Sequence, residues 1–569
     1  MVLPTSPPAS MSVSQILAEF GITAGTTKRI SNDLFPLVGG TAGSTCLLGA
    51  SFSGKSAGRY STIRGTSNDA GRSITVDSAG NIYVTGSYQS TATVPINTFG
   101  AAPTASGVSL PASVGGTDVF IIKWKPDGSL AGYTTFSGTS GDIGYGIAVD
   151  SSQNIYVTGN YSSTTTVPIK TFGTAPTASG VSLPASTGID VFVVKWNGSN
   201  GTLAGYSTIK GTGTTDIGYG IAVDSSQNIY VTGQYNSTAV TINTFGTAPT
   251  ASGVSLPAST GTDVFIIKWN GSNGTLAGYS TIRGTASLDT GRSIAVDSNQ
   301  NIYVTGNYSA TATVPINTFG TAPTASGVSL PITPGTTRDA FVIKWNANGT
   351  VAGYSTIRGT ANDIGYGIAV VSAGNIYVTG TYNSTETVPI NTFGTAPAAS
   401  GVSMPSSTGT DVFVVKWNGS NGTLAGYTTL STGGVDIGHG IAVDSSQNIY
   451  ITGGYMSTAA PIKTFGTAPT ASGVSLPAGV SGSTSSTFVI KWNGSNGTLA
   501  GYSTSRGGAS TDTGYAIAVD SSRNIYITGQ YTSTTATVPI NTFGMTPVES
   551  GFSMPITLGT DAFVIKWNA

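Results

Sequence analysis

A chain of 569 residues with a net charge of −1 and only 8% charged residues has no basic field to track a nucleic-acid backbone, and no acidic block. Its one cysteine, Cys46, excludes an intrachain disulfide, and it has no run of about 18 apolar residues to cross a membrane as a helix. Glycine, at 79 residues, is about double its usual share, while 9% aromatic residues exclude a disordered polar chain.

Residues 1–57 are the only non-repetitive segment and read as a leader. The start, MVLPTSPPASMSVSQILAEFG, lacks a basic n-region and a continuous apolar h-region, so it does not read as a signal peptide. Residues 12–20 form a short helix candidate with Ser12 and Gln15 as a capping box and Ile16, Leu17 and Phe20 as an apolar stripe. With Leu34, Phe35, Leu37 and Val38 these apolar residues are too few to fold alone. The leader is therefore expected to bury itself against another protein, or under its own following domain. Residues 49–56, GASFSGKS, match the P-loop pattern. Phosphate binding there needs a helix N-terminus after Lys55, whereas AGRYSTIRG reads as a strand, so nucleotide binding is a remote alternative.

From Arg59 to the last residue one unit of about 73 residues recurs seven times, which marks a radial or stacked repeat architecture. Asn-Ile-Tyr returns with Tyr83, Tyr156, Tyr230, Tyr303, Tyr377, Tyr450 and Tyr526. All seven tryptophans follow a lysine, at Trp124, Trp196, Trp269, Trp345, Trp417, Trp492 and Trp567. Within one repeat, 142–150 (DIGYGIAVD) predicts a strand a, and 155–159 (IYVTG) a strand b after a Ser-Ser-Gln-Asn turn. A loop of about 30 residues follows. Then 190–196 (DVFVVKW) predicts strand c, NGSNGTLAG a hairpin turn, and 206–211 (YSTIKG) strand d. Four short antiparallel strands per repeat make a propeller blade.

The faces agree with that reading. Phe192, Val194 and Trp196 share one face of strand c, and Val193 and Lys195 the other. In strand a, Tyr145, Ile147 and Val149 are expected to share a face opposite the small Gly146 and Ala148. All 25 tyrosines and most of the 19 phenylalanines fall at recurring positions, so the aromatic residues are mainly core between blades. The first repeat element, 59–65, is a strand d and the last, 561–567, a strand c. The fold class is therefore all-β: a seven-bladed propeller of four-stranded antiparallel blades over 58–569, closed by its N-terminal strand. Because strands alternate in direction, the d–a and b–c connections share one face and the a–b and c–d turns the other. The long b–c loops are expected to point away from the c–d end, where the leader joins.

The pattern D-x-G-x-[GSA]-I-A-V-D-x-x-x-N-I-Y-V-T-G, with D-V-F-V-[IV]-K-W and G-Y-S-T-I-[RK]-G, resembles the bacterial-type SBBP β-propeller repeat family over 59–569. The family usually has Leu at the strand-c Trp and a shorter b–c loop. The resemblance implies a scaffold rather than a reaction. Proteins with such repeats are often secreted or surface-associated, and similar repeats occur in large DNA viruses.

Candidate chemistry is sparse. An Asp precedes every strand a: Asp69, Asp142, Asp216, Asp289, Asp363, Asp436 and Asp512. Such a series reads as turn residues that cap backbone N–H groups or pair the strand-c Lys, not as a metal site. The D-x-x-x-N turn, as at Asp150 and Asn154, has too few ligands for calcium, and the fifth repeat replaces its Asp with Val371. The seven Lys of Lys-Trp, from Lys123 to Lys566, read as a repeated buried pair. Asn197 and Asn200 match glycosylation acceptors, yet Asn-Gly is also hairpin chemistry.

One position varies chemically: Arg72, Tyr145, Tyr219, Arg292, Tyr366, His439 and Tyr515, two residues before the Ile of strand a. It is expected at the mouth of the central channel and is the candidate ligand-binding ring. His439 is the sole histidine, with no nucleophile set beside it by any motif, so no catalytic triad is supported. Glu386 and Glu549 lie in different repeats, so no glycosidase pair is formed.

The chain thus reads as a non-enzymatic structural or recognition propeller without cofactor or metal, exposed on a cell or virion surface. Residues 1–57 are the expected attachment to other proteins of an assembly, with no nucleic-acid partner and no membrane insertion. The alternative is a glycan-binding module or glycan-active enzyme using the channel mouth.

Overall fold

A computed structural model describes residues 58–568, apart from 213–214, 239, 260, 285–287, 335–336, 457–458, 479–484 and 507–510. The leader, its helix candidate and the P-loop match at 49–56 lie outside the described residues. Among the described residues the regular structure is entirely β, and no helix is long and apolar enough to cross a membrane.

The second blade shows the plan. Strand a is Ile143–Val149, b is Ile155–Tyr161, c is Asp190–Trp196 and d is Leu203–Lys210, paired antiparallel in that order. The innermost strands touch in sequence around the ring, and Thr513–Val519 of the seventh blade returns to Ala70–Val76 of the first. Closure follows the out-of-phase ends. Arg59–Ile63 pairs antiparallel with Asp561–Trp567, from Arg59 opposite Lys566 to Ile63 opposite Ala562. It supplies strand d of the seventh blade.

The b–c segment corrects the sequence reading in two ways. It is a β-hairpin rather than a loop: in the second blade, Val167–Lys170 pairs with Ala178–Leu183. It also does not project from the face where strand a begins. It runs down the outer edge of the preceding blade, where residues 133 and 173 bond reciprocally: the Tyr133 N–H donates to the Gly173 carbonyl at 2.9 Å and the Gly173 N–H to the Tyr133 carbonyl at 3.1 Å. The same addition sets Ile242 opposite Ile209 and Ile316 opposite Ile282. The descending arm ends beside its own c–d turn, where the Phe172 N–H donates to the Gly201 carbonyl at 2.7 Å. Hidden in a Pro-containing stretch is a period of two, with Val167 and Ile169 buried and Pro168 exposed. Pro suits this arm because it removes only one donor from a short outer strand. The hairpin also covers the outer edge that strand d would present to other chains.

The core lies between blades. Tyr83, Val119, Ile121 and Phe136 of the first blade pack against Ile147, Val157, Phe192, Val194 and Trp196 of the second. The Phe-Val-Trp face of strand c thus meets the preceding blade, as expected from alternation. Each buried Trp also has its polar atom satisfied: Trp196 Nε1 donates to the Lys170 carbonyl and Trp124 Nε1 to the Asn97 carbonyl, both at 2.8 Å. A buried aromatic of this size contributes about 1.5–3 kcal/mol or more through its apolar surface. The indole therefore fastens both the neighbouring blade and the hairpin.

Candidate functional site

The ring position is built by an irregularity in every strand a. The ladder between strands a and b slips between Gly71 and Ser73, Gly144 and Gly146, Gly218 and Gly220, and Gly291 and Ser293. It slips again between Gly365 and Gly367, Gly438 and Gly440, and Gly514 and Ala516. The residue left out of the ladder is in each case the ring residue: Arg72, Tyr145, Tyr219, Arg292, Tyr366, His439 or Tyr515. A bulge re-aims one side chain and bends the strand. The expected alternation, with Tyr145 on the face of Ile147 and Val149, is therefore broken at Tyr145. Small residues flank the bulge because bulky ones collide: a Cβ on Gly144 would lie 2.3 Å from Thr85 Oγ1.

All seven side chains converge on the channel axis. One cavity of about 190 Å³ is lined by the ring alone, and another of similar size by the ring and the next two residues of each strand a. The ring is thus the constriction between the channel mouth and its interior. Tyr145 and Tyr219 approach to 5.0 Å between ring centroids, Tyr366 and His439 to 4.9 Å, and His439 and Tyr515 to 5.1 Å. The Arg72 guanidinium lies 4.6 Å from the Tyr515 ring, and that of Arg292 lies between Tyr219 at 4.8 Å and Tyr366 at 5.5 Å. Cation–π stacking of this kind contributes about 0.5–2 kcal/mol and fixes the guanidinium orientation.

The electrostatics of the ring are one-sided. No Asp or Glu lines either cavity. Arg64, Arg283, Arg358 and Arg523 each meet a carboxylate, at Asp561, Asp263, Asp339 and Asp444. Among the described residues Arg72 and Arg292 meet none, and the Nε of each is buried without a hydrogen-bond partner. Burial, and then Arg72 and Arg292, push the His439 imidazole down to about 3, so it is neutral at pH 7. A histidine held in that state is a poor proton acceptor at neutral pH.

The other candidates serve the fold. Asp142 accepts the Gly138 N–H at 2.5 Å and the Ser162 N–H at 2.9 Å, tying the d–a connection to the end of strand b. Asp69, Asp216, Asp289, Asp363, Asp436 and Asp512 do the same with Gln89, Asn236, Ser309, Asn383, Met456 and Thr532. These carboxylates cap backbone groups; the strand-c lysines pair elsewhere, which corrects the paired reading of both. Lys123 instead stands over the Tyr83 ring at 4.9 Å and donates to Gln153 of the next blade at 3.1 Å. Lys195 repeats this with Tyr156 and Gln227.

The D-x-x-x-N turn is saturated by its own chain. Asp150 accepts from the Ser152 and Asn154 N–H groups, Asn154 Nδ2 and the Tyr156 hydroxyl, at 2.8–2.9 Å. Among the described residues no cluster of three His, Cys, Asp or Glu is placed to hold a metal ion. The sequons at Asn197 and Asn200 form the c–d turn: Asn197 Nδ2 donates to Thr202 Oγ1 at 2.7 Å and Thr202 Oγ1 to Asn200 Oδ1 at 2.8 Å. Glu386 and Glu549 are exposed in different blades.

The model of the SBBP β-propeller repeat family matches residues 59–87, 131–160, 201–237, 275–307, 423–453 and 498–530. Each match begins in or just before a strand d, or in the turn leading to it, and ends in strand b or within two residues of it. The equivalent segment that contains Val371 lies outside these six. An uncharacterized WD repeat-containing protein of Acanthamoeba polyphaga mimivirus is 27% identical over 433 residues. That alignment takes in 69% of this chain and 30% of the relative, so the chain spans under a third of that protein's length.

Proposed function

Because the chain is a seven-bladed propeller built from SBBP β-propeller repeats, we propose that it is a non-enzymatic structural and recognition protein. On this reading the propeller is displayed on a surface or particle, and residues 1–57 attach it to other proteins. The observation that carries the proposal is the consumption of its ionisable groups by the fold. The capping Asp and the strand-c Lys are used in every blade, and the turn Asp in six of the seven, each in a hydrogen bond or ring contact that recurs around the ring.

Large apolar side chains support recognition by a protein partner. Among the described residues Val114, Leu288, Ile332, Val435, Ile556 and Leu558 are exposed in the connections that enter strand a or strand c, on the face where the channel opens, and Met545 and Val548 in the turn of an outer hairpin. Arg59, to which the leader is joined, lies at the opposite end, opposite Lys566 near the close of strand c. Attachment through 1–57 and recognition at the channel mouth are therefore compatible.

Cross-linking of the native particle or cell surface tests the attachment. Links from Lys28 to a different protein support it. Links confined to this chain's own c–d turns would place the leader under its own propeller. A second reading, a glycan-binding module at the channel mouth, draws on the Arg and Tyr content of the ring; glycoside hydrolysis there would also need a carboxylate pair.

A further inference from the structure

We propose that the central channel binds one compact oxyanion, the phosphate, sulfate or carboxylate group of a small molecule, held between Arg72 and Arg292. This site is independent of the attachment assigned to residues 1–57.

Arg72 and Arg292 stand in the first and fourth blades, close to opposite in a ring of seven, and both line the mouth cavity and the interior cavity. Neither channel cavity holds a carboxylate; Arg72 also borders a side cavity lined by Asp69, whose carboxyl is taken up by the N–H groups of Gly65 and Gln89. Placing two cations in a narrow cavity without a counter-charge is costly unless an anion offsets them. The remaining ring members do not offset them: five are aromatic, and the neutral imidazole of His439 adds no charge. Tyr and His at the other five positions show that an aromatic side chain satisfies the structural demand there. The two Arg therefore need a separate explanation.

The arrangement is also organised in advance. Arg292 is held between Tyr219 and Tyr366, and Arg72 on Tyr515, so little side-chain freedom remains to be lost on binding. Guanidinium groups match the planar oxygen pairs of carboxylate, sulfate and phosphate. Size narrows the class. About 190 Å³ offers on the order of ten water-sized positions, enough for a small anion with some of its water but not for a polymer segment. The aromatic walls accept an apolar or sugar-like body attached to the anionic group.

Calorimetry of the full chain with inorganic phosphate, sulfate and glucuronate, and with neutral glucose as control, tests the assignment. At least one of the three oxyanions is expected to bind once per chain, and glucose is not. Arg72→Gln and Arg292→Gln each weaken that binding about tenfold or more, as expected for loss of a charged hydrogen bond. Arg72→Ala with Arg292→Ala abolishes it, while Arg72→Lys with Arg292→Lys retains part. The single Gln variants keep the test decisive should the double Ala variant fail to fold. No oxyanion binding at tens of millimolar (order of magnitude, as for a contact worth under about 3 kcal/mol), affinity unchanged in both Gln variants, or glucose binding as tightly would each overturn the proposal.

Discussion

The hydroxyl of Tyr377 donates to Gln447 Oε1 at 3.1 Å across a blade boundary, and this bond replaces one made within the blade elsewhere. In the other repeats the equivalent Tyr bonds the turn Asp of its own blade, as Tyr156 does with Asp150 at 2.9 Å. The fifth blade has Val371 at that place. Its Asn375 Nδ2 turns to the same Gln447 oxygen at 3.2 Å, which also keeps the Lys416 Nζ contact, at 3.1 Å, that Lys123 and Lys195 make in their blades. One neutral acceptor thus takes over work done by a carboxylate in the other repeats.

Gln447→Ala is therefore expected to destabilise the propeller by about 1–3 kcal/mol, because three donors lose their acceptor together. Gln153→Ala removes a single Lys123 contact and costs about 1 kcal/mol or less. Both glutamines sit at positive φ, 61° and 62°, so the backbone penalty of the two substitutions is matched. Urea denaturation of the pair reads the difference. Val371→Asp should restore much of the loss in a Gln447→Ala background. Equal stability of the two single variants would show that Gln447 carries no special load.

The ring depends on its first strand. Deleting residues 1–66 removes Arg59–Ile63 and leaves the Asp561–Trp567 strand unpaired on one side. It also removes the Arg64–Asp561 ion pair at 3.2 Å. An exposed strand edge beside a buried apolar face is a template for association. Size-exclusion chromatography with light scattering should show oligomers or aggregates, with a lowered melting temperature. A monomer with unchanged melting would mean that closure contributes nothing to the folded state.

Most of the architecture was legible because every diagnostic signal is repeated. The strand pattern, the Asn-Gly turns and the out-of-phase ends named the blade count and the closing strand. The outer hairpin was not legible. Its two arms are of four and six residues, and one contains Pro168, so the period of two at Val167 and Ile169 is too short to stand out. The ring residues were found by their chemical variation, but their geometry was not. A strict alternation cannot reveal a bulge, although the Gly144-Tyr145-Gly146 spacing carries the trace of one. The role of Gln447 was invisible because Asn375 and Tyr377, the two partners that set it apart, lie 72 and 70 residues earlier in sequence, about one repeat away.

Acidification from pH 8 to pH 5 is expected to raise the melting temperature. Burial raises Asp69, Asp142 and Asp289 to about 7, and Asp118 and Asp363 to about 8. Each is protonated more readily in the folded than in the unfolded chain, whose Asp titrates near 3.8. Their stabilising contribution is complete below the unfolded value and is lost as pH rises through 7 to 8. His439 acts in the opposite sense, since its imidazole is pushed down to about 3 and resists protonation that the unfolded chain accepts near 6.5. One histidine opposes several carboxylates, so the carboxylates set the sign. Scanning calorimetry in steps across this range reads the slope; a melting temperature that falls steadily from pH 8 to pH 5 would contradict it.

The docking of the outer hairpin rests on one turn glycine. Gly201 has φ +70°, and a Cβ there would lie 1.8 Å from the Phe172 carbonyl oxygen. Both facts exclude a side chain: the left-handed region costs a non-glycine residue about 1–2 kcal/mol, and the collision is with backbone that cannot rotate away. Gly201→Ala should therefore break the Phe172–Gly201 bond, worth about 1 kcal/mol, for a total loss of about 2–4 kcal/mol. Gly173→Ala is the matched control, since a Cβ there meets open space and the backbone is not in the positive-φ region. It should change stability by less than about 0.5 kcal/mol. Hydrogen exchange locates the effect. The amides of Val167, Ile169 and Lys170 should exchange faster in Gly201→Ala and be unchanged in Gly173→Ala, while the a and b strands of the same blade keep their protection. Uniformly faster exchange across the whole propeller would show instead that the hairpin is part of the global folding unit and not a separately docked strap.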